Sequence, residues 1–171
     1  MQEVFISISD AAEVFLSPDI AGITGGTSNG STTVIVTTDS PSGYSLSIES
    51  QNAPAMNSLT DSIDDYSTAD PVDFTFSVPT GAAFGFSPSG DDIALKFLDN
   101  GAGTCGVGST DTALACWSGL SMSDTIIARA TGANHPAGAT TTVHFRVSVA
   151  SGAGVPAGLY IATTTMTALP L

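Results

Sequence analysis

The stretch Thr140-Thr-Thr-Val-His-Phe-Arg-Val-Ser-Val149 leaves the chain few choices. Val143, Phe145, Val147 and Val149 alternate with Thr142, His144, Arg146 and Ser148. Successive side chains of a strand point to opposite faces, so this period of two puts the apolar set on one surface and the polar set on the other. The first surface needs a core and the second can meet water. A second run, Leu159-Tyr-Ile-Ala-Thr-Thr-Thr-Met-Thr167, follows the turn-forming Ser151-Gly-Ala-Gly-Val-Pro-Ala-Gly158. The two runs read as the closing strands of an antiparallel β-sandwich.

The same periodicity recurs upstream. Thr32-Thr-Val-Ile-Val-Thr-Thr38 is strongly β-branched, and Tyr44-Ser-Leu-Ser-Ile-Glu49 returns after Asp39-Ser-Pro-Ser-Gly43, so the two are expected to form a hairpin. Val4-Phe-Ile-Ser-Ile-Ser9 is a first strand with Val4, Ile6 and Ile8 on one face, broken by Asp10-Ala-Ala12. Phe74-Thr-Phe-Ser-Val78 and Asp124-Thr-Ile-Ile-Ala-Arg-Ala130 are further strands. Asn29-Gly30 reads as a type I′ turn. Gly85, between Phe84 and Phe86, marks a bulge or a close backbone approach. The run Ile93-Ala-Leu-Lys-Phe-Leu98 suits a strand or irregular structure, and residues 50–73 lose the pattern.

No stretch sustains a period of 3.6, so helices are expected to be few, short turns. Roughly eight to ten short strands with turn signals between them imply an all-β fold. The expected architecture is an antiparallel two-sheet sandwich of immunoglobulin-like or jelly-roll type. At 171 residues it forms a single domain over 1–171, with 1–10 as a candidate N-terminal donor strand.

Charge excludes several functions. Three basic side chains, Lys96, Arg129 and Arg146, stand against 16 Asp and Glu, for a formal net charge of −13. A phosphate backbone needs several cations to neutralise it, so a nucleic-acid partner is not expected. Anionic membrane surfaces are disfavoured for the same reason. No apolar run approaches the ~20 residues of a membrane helix, so membrane insertion is not expected either. An acidic, Thr-rich surface suits solubility outside the cell. No signal-peptide pattern opens the chain, and the sequence reads as an extracellular or cell-surface protein after signal-peptide removal.

Cys105 and Cys116 flank a short Gly-rich loop and are the only cysteines. No His or further Cys lies near them to complete a metal site, so one disulfide is expected, and with it an oxidising compartment. Closing so short a loop contributes roughly 2–3 kcal/mol.

Signs of catalysis are sparse. The two histidines, His135 and His144, have no partners at a spacing that metal or acid–base chemistry would need. There is no Gly-x-Ser-x-Gly elbow and no phosphate-binding loop. The reading is a non-enzyme without a required cofactor. Calcium is the one metal considered: Asp61, Asp64, Asp65, Asp70 and Asp73 supply hard oxygens from an irregular stretch, without EF-hand spacing. Their plainer reading is solvated loop carboxylates. Asn29-Gly-Ser31 is an N-glycosylation sequon, which makes Asn29 a candidate acceptor.

Three pieces together carry a family resemblance. They are Val34-Ile-Val-Thr-Thr-Asp-Ser-Pro-Ser-Gly-Tyr-Ser-Leu-Ser-Ile48, the 140–149 strand, and the Pro156-Ala-Gly-Leu-Tyr160 entry into a last Thr-rich strand. The chain resembles secreted bacterial surface β-sandwich proteins of the pilin-like, spore-coat-like and WxL-like groups. The paired Trp-x-Leu motifs of true WxL domains are absent, since Trp117-Ser-Gly leads only to Leu120. The resemblance implies a secreted sandwich and carries over no catalytic residue.

The expected function is an extracellular structural subunit of a surface filament, pilus or surface layer. Copies of the chain would join by β-strand addition, with Val4, Phe5, Ile6 and Ile8 in the inter-subunit strand. The alternative is a secreted carbohydrate- or cell-wall-binding module, with a glycan as partner. It would need an exposed aromatic platform drawn from Trp117, Tyr44, Tyr66 and Tyr160.

Overall fold

A computed structural model describes residues 4–68 and 72–171. Its strands are β1 (Ile6–Ile8), β2 (Gly26–Thr38), β3 (Tyr44–Ser50), β4 (Met56–Asn57), β5 (Ser62–Asp65), β6 (Ala82–Gly90), β7 (Thr125–Ala130), β8 (Ala139–Val149), β9 (Ile161–Ala162) and β10 (Thr164–Pro170). A 3-10 turn at Leu95–Phe97 is the only helical element among the described residues. Seven strands form a large curled sheet in the order β1-β2-β8-β6-β5-β4-β9, and β10-β3-β7 form a second. Pairing is antiparallel except between β5 and β6. The all-β two-sheet architecture is the one the alternation implies.

The large sheet is built on β8. It pairs with β2 along one edge, from Gly26↔Val149 to Val36↔Ala139, and with β6 along the other, from Ala82↔Val149 to Gly90↔Thr141. Its inward side chains are buried: Val143 is 0% exposed and Phe145, Val147 and Val149 are 6% exposed. Burial on this scale stabilises by about 1.5–3 kcal/mol per large side chain. Phe145 also stacks on Phe84 of β6 at 6.0 Å between ring centroids.

Two expected neighbours are not neighbours. β2 and β3 do not form a hairpin: β2 lies in the large sheet and β3 in the small one. The turn at 39–43 instead carries the chain from one layer to the other. Val34 and Val36 then share a core with Tyr44, Leu46 and Ile48. An alternating pattern states which face is buried, and an arch between layers shows the same pattern as a hairpin. Likewise the last run is split. β9 pairs with β4 in the large sheet, and after Thr163 the chain enters the small sheet as β10 beside β3.

Asn29-Gly30 is not a turn; both residues lie within β2, opposite Arg146 and Phe145 of β8. Gly30 is there for space. A Cβ at that position would lie 2.5 Å from Val14 Cγ1 and 2.9 Å from Leu16 Cδ2, because residues 14–16 cross over the strand. The 74–78 run is not a strand either. Phe74 packs against the main core, and Phe76 joins a second cluster with Tyr66, Ala83 and Trp117 on the other side of the large sheet. Tyr66 stacks on Phe76 at 4.1 Å, Trp117 meets Phe76 edge-on at 5.2 Å, and the Arg146 guanidinium sits 4.3 Å from the Trp117 ring. Gly85 is the close approach beneath them. A Cβ there would lie 2.8 Å from Ser118 O, 2.9 Å from Tyr66 Cβ and 3.0 Å from Phe76 Cε2. The 93–98 run is irregular, as expected: Ile93 bridges to Ala128 of β7 before the 3-10 turn.

Two substitutions test this packing by thermal or denaturant unfolding. Gly85→Ala is expected to cost about 1–3 kcal/mol, since backbone as well as side chain must move to admit the methyl group. Thr141→Val should do the reverse. Thr141 Oγ1 is the one buried side-chain polar atom without a hydrogen-bond partner among the described residues. Replacing the hydroxyl by a methyl group of similar shape should raise stability by about 1 kcal/mol or more.

Candidate functional site

The N-terminal strand sits at the edge of its own large sheet. Ile6, Ser7 and Ile8 pair with Thr38, Thr37 and Val36. The ladder is extended by the Asp39 N–H donating to Phe5 O at 3.2 Å and the Ser9 N–H donating to Ile35 O at 3.0 Å. Thr38 Oγ1 also donates to Phe5 O, and the Phe5 N–H donates to Asp39 Oδ1 at 2.6 Å. Side-chain cover is thinner. Ile6 and Ile8 are half-buried against the core, whereas Val4 is 46% and Phe5 50% exposed.

The chain then breaks at 10–11 and anchors again. The Ala12 N–H donates to Thr32 Oγ1 at 3.0 Å, and Ser17 and Asn29 exchange two backbone hydrogen bonds of 2.9 Å. With Val14 and Leu16 seated over Gly30, residues 12–17 form a clamp on β2, and residues 4–9 form an arm beyond it.

A groove of about 960 Å³ opens between this clamp and the stretch 155–166. Its floor is apolar and includes Met56, Ile63, Phe84, Phe145 and Val147. Its surroundings carry exposed apolar side chains: Phe15 is 79%, Leu159 78% and Ile161 60% exposed. Thr164 and Met166 of β10 line one wall. In an antiparallel pair, alternate residues turn their N–H and C=O to the partner strand and the rest turn theirs away. The Gln51 N–H donates to Thr163 O, and the Leu171 N–H to Gly43 O, so the odd residues of β10 bond to β3. Thr164, Met166 and Ala168 therefore present their main-chain groups outward, where β1 lies nearby but no hydrogen bond is made among the described residues. Pro170 shares that outward phase, so the N–H it lacks is one the ladder does not need.

The other expected sites fare differently. Cys105 and Cys116 form the disulfide, with an S–S distance of 2.03 Å. Beside it Asp99 is enclosed, and enclosure alone would raise its pKa. Hydrogen bonds from the Gly101 N–H at 2.7 Å and from Thr112 outweigh this and hold the carboxyl below its usual range.

The calcium candidates do not gather. Asp61 accepts from Thr60 Oγ1 at 2.7 Å, Asp65 from the Ala55 N–H at 3.1 Å and Asp73 from the Tyr66 hydroxyl at 2.9 Å. Asp64 is exposed, and Asp70 lies outside the described residues. Burial pushes the pKa of Asp65 up. No group of three or more His, Cys, Asp or Glu side chains able to hold a metal forms among the described residues.

No aromatic platform forms from the expected residues. Trp117 and Tyr44 are 0% and Tyr66 6% exposed. The Tyr44 hydroxyl donates to Asp92, and burial pushes its pKa far up. Tyr160 is half-buried, its hydroxyl donating to Pro156 O at 3.0 Å. Asn29 is exposed on β2, with Oδ1 accepting from Arg146 Nε at 2.6 Å. His135 lies in an exposed turn with its ring edge-on to Phe5 at 6.3 Å. His144 Nε2 is 3.0 Å from Ser89 Oγ, a diagonal cross-strand contact on the sheet face.

Sequence reasoning missed the groove and the outward edge of β10, because both depend on which strand lies beside which. Gly30 was the available signal for the clamp. Among the described residues no helix is long and apolar enough to cross a membrane. No protein-family model matches this chain, and no similar curated protein or solved structure was found.

The pKa of His144 is held below its ordinary value by burial and by Arg146, with Asp111 opposing them. The unfolded chain therefore takes up a proton near pH ~6.5, before the folded one does. The stability this histidine provides is complete above that pH and is lost as pH falls toward the depressed folded value. In melting curves between pH 7.5 and 5, the wild type should lose stability relative to His144→Gln. A difference that does not change with pH would contradict this.

Proposed function

We propose that the chain is an extracellular structural subunit of a surface filament, pilus or surface layer, whose copies join by β-strand addition. The observation that carries this reading is the jointed N-terminus. Residues 12–17 are clamped to β2, residues 4–9 form an edge strand, and a break at 10–11 lies between them. An arm on such a joint can leave its seat without disturbing the clamp.

Three further points support the reading. Edge strands offer main-chain groups to other chains, and an added strand draws its affinity from those bonds and its register from alternate apolar anchors. Val4, Ile6 and Ile8 supply the anchors, and the arm's own seat leaves Val4 half-exposed. Charge restricts the contact: two copies each carrying −13 repel, whereas residues 4–9 contain no charged side chain. The disulfide suits an oxidising, extracytoplasmic setting, and a resemblance to pilin-like surface sandwiches accords with both. An arm passed from one copy to the next is a head-to-tail contact, which propagates unless its rotation closes a ring.

Electron microscopy and sedimentation of the full chain should reveal polymers that grow with salt, as repulsion is screened. Ile6→Asp/Ile8→Asp and a chain lacking residues 1–10 should remain monomeric. A full chain that stays monodisperse at high concentration and high salt would overturn the reading.

A further inference from the structure

We infer that the groove between the clamp and β10 is the acceptor site of this assembly, and that its occupant is residues 4–9 of a second copy. The site is thus a partner-binding site resting on the assembly proposed above. Two independent features of the groove point to an extended peptide. The first is its floor of apolar side chains, Phe84, Phe145 and Val147 among them. The second is the outward row of main-chain groups at Thr164, Met166 and Ala168. An apolar floor by itself would suit a lipid or any greasy molecule. A lipid chain would leave the N–H and C=O groups of β10 without partners, whereas a strand laid along them completes a ladder.

The charge pattern selects the strand. Glu13 and Asp19 border the groove, and the whole chain is strongly acidic. An acidic segment of another copy would be repelled. Residues 4–9 are neutral, and their Val4, Ile6 and Ile8 repeat at the two-residue spacing that an inward-facing stripe needs. The arm's own seat holds residues 5–9 through β1 and its flanking bonds to Ile35, Thr38 and Asp39. The outward edge of β10 spans Thr164–Pro170, with β1 beside it. Exchange therefore trades pairing with β2 for pairing with β10 of another copy. The arm of one copy turns at 10–11 and enters the groove of the next. The acceptor's own β1 lies close beside β10, and it clears that flank when it is itself passed to the next copy.

The test uses the full-length chain and a fluorescent peptide with the sequence of residues 1–10. Fluorescence anisotropy should show saturable binding. Ile6→Asp/Ile8→Asp in the peptide should weaken it at least tenfold. Two changes in the protein should do the same. Thr164→Pro removes an outward N–H at the first position of β10, where proline is tolerated. Ala162→Trp fills the groove from its wall. Each variant's melting curve shows whether it folds, and the Trp variant suffices if the Pro variant does not.

Absence of saturable binding, or binding unchanged in a folded Ala162→Trp chain, would overturn the inference. So would capture of a long-chain fatty acid in place of the peptide. Polymers formed by Ala162→Trp as readily as by the wild type would sink this acceptor site and leave the assembly reading standing. Groove-dependent peptide binding by a chain that never polymerises would do the opposite.

Discussion

Both edges of β8 are occupied by long partners, and its inward side chains can be buried only if a second layer lies over them. That requirement organises the rest. β2 and β6 must flank it, and their own alternating residues then extend the apolar surface on the same side. The small sheet meets the demand where Val34, Val36 and Val143 lie, all at or below 1% exposed. At the other end of β2 and β8 the cover comes from irregular chain, residues 11–20 and 155–160. Irregular segments fill space less evenly than a sheet does, and the groove is the gap they leave.

Face was legible in the amino-acid sequence and adjacency was not. The even-numbered residues of β2 and β3 point inward as their alternation implies, yet the two strands belong to different layers. Asn29-Gly30 carried the chemistry of a tight turn, but the glycine serves a crossing by Val14 and Leu16, and a contact between distant segments leaves no local pattern. Gly85 reads as a bulge or a close approach, and the second is what the packing of Tyr66, Phe76 and Ser118 over it requires. Cys105 and Cys116 were legible because two cysteines allow one pairing. The aspartates of 61–73 were ambiguous for a physical reason. A carboxylate that bonds a backbone N–H or a tyrosine hydroxyl has the same composition as one that binds a metal.

The stretch without pattern supplies Tyr66 to the second cluster. Tyr66, Phe76 and Trp117 come from separate loops and meet over Gly85, with Arg146 lying against the indole. This accounts for a basic side chain on the polar face of β8 in so acidic a chain. Its stem and guanidinium shelter aromatic rings from water while bonding Asn29. It also explains why Tyr66 and Trp117 are unavailable to a glycan: they cover the outer face of the large sheet, while Tyr44 is buried in the core between the layers.

Both described ends of the chain are tied to one corner. Phe5 bonds to Thr38 and Asp39, while the Leu171 N–H donates to Gly43 O and its carbonyl accepts from Ser40 Oγ. A pull between the two ends would therefore load the 38–43 arch first and leave most of the body slack. Linked in series through these ends, such units would yield by peeling at that corner, one bond at a time, and the buried layers would feel the tension last.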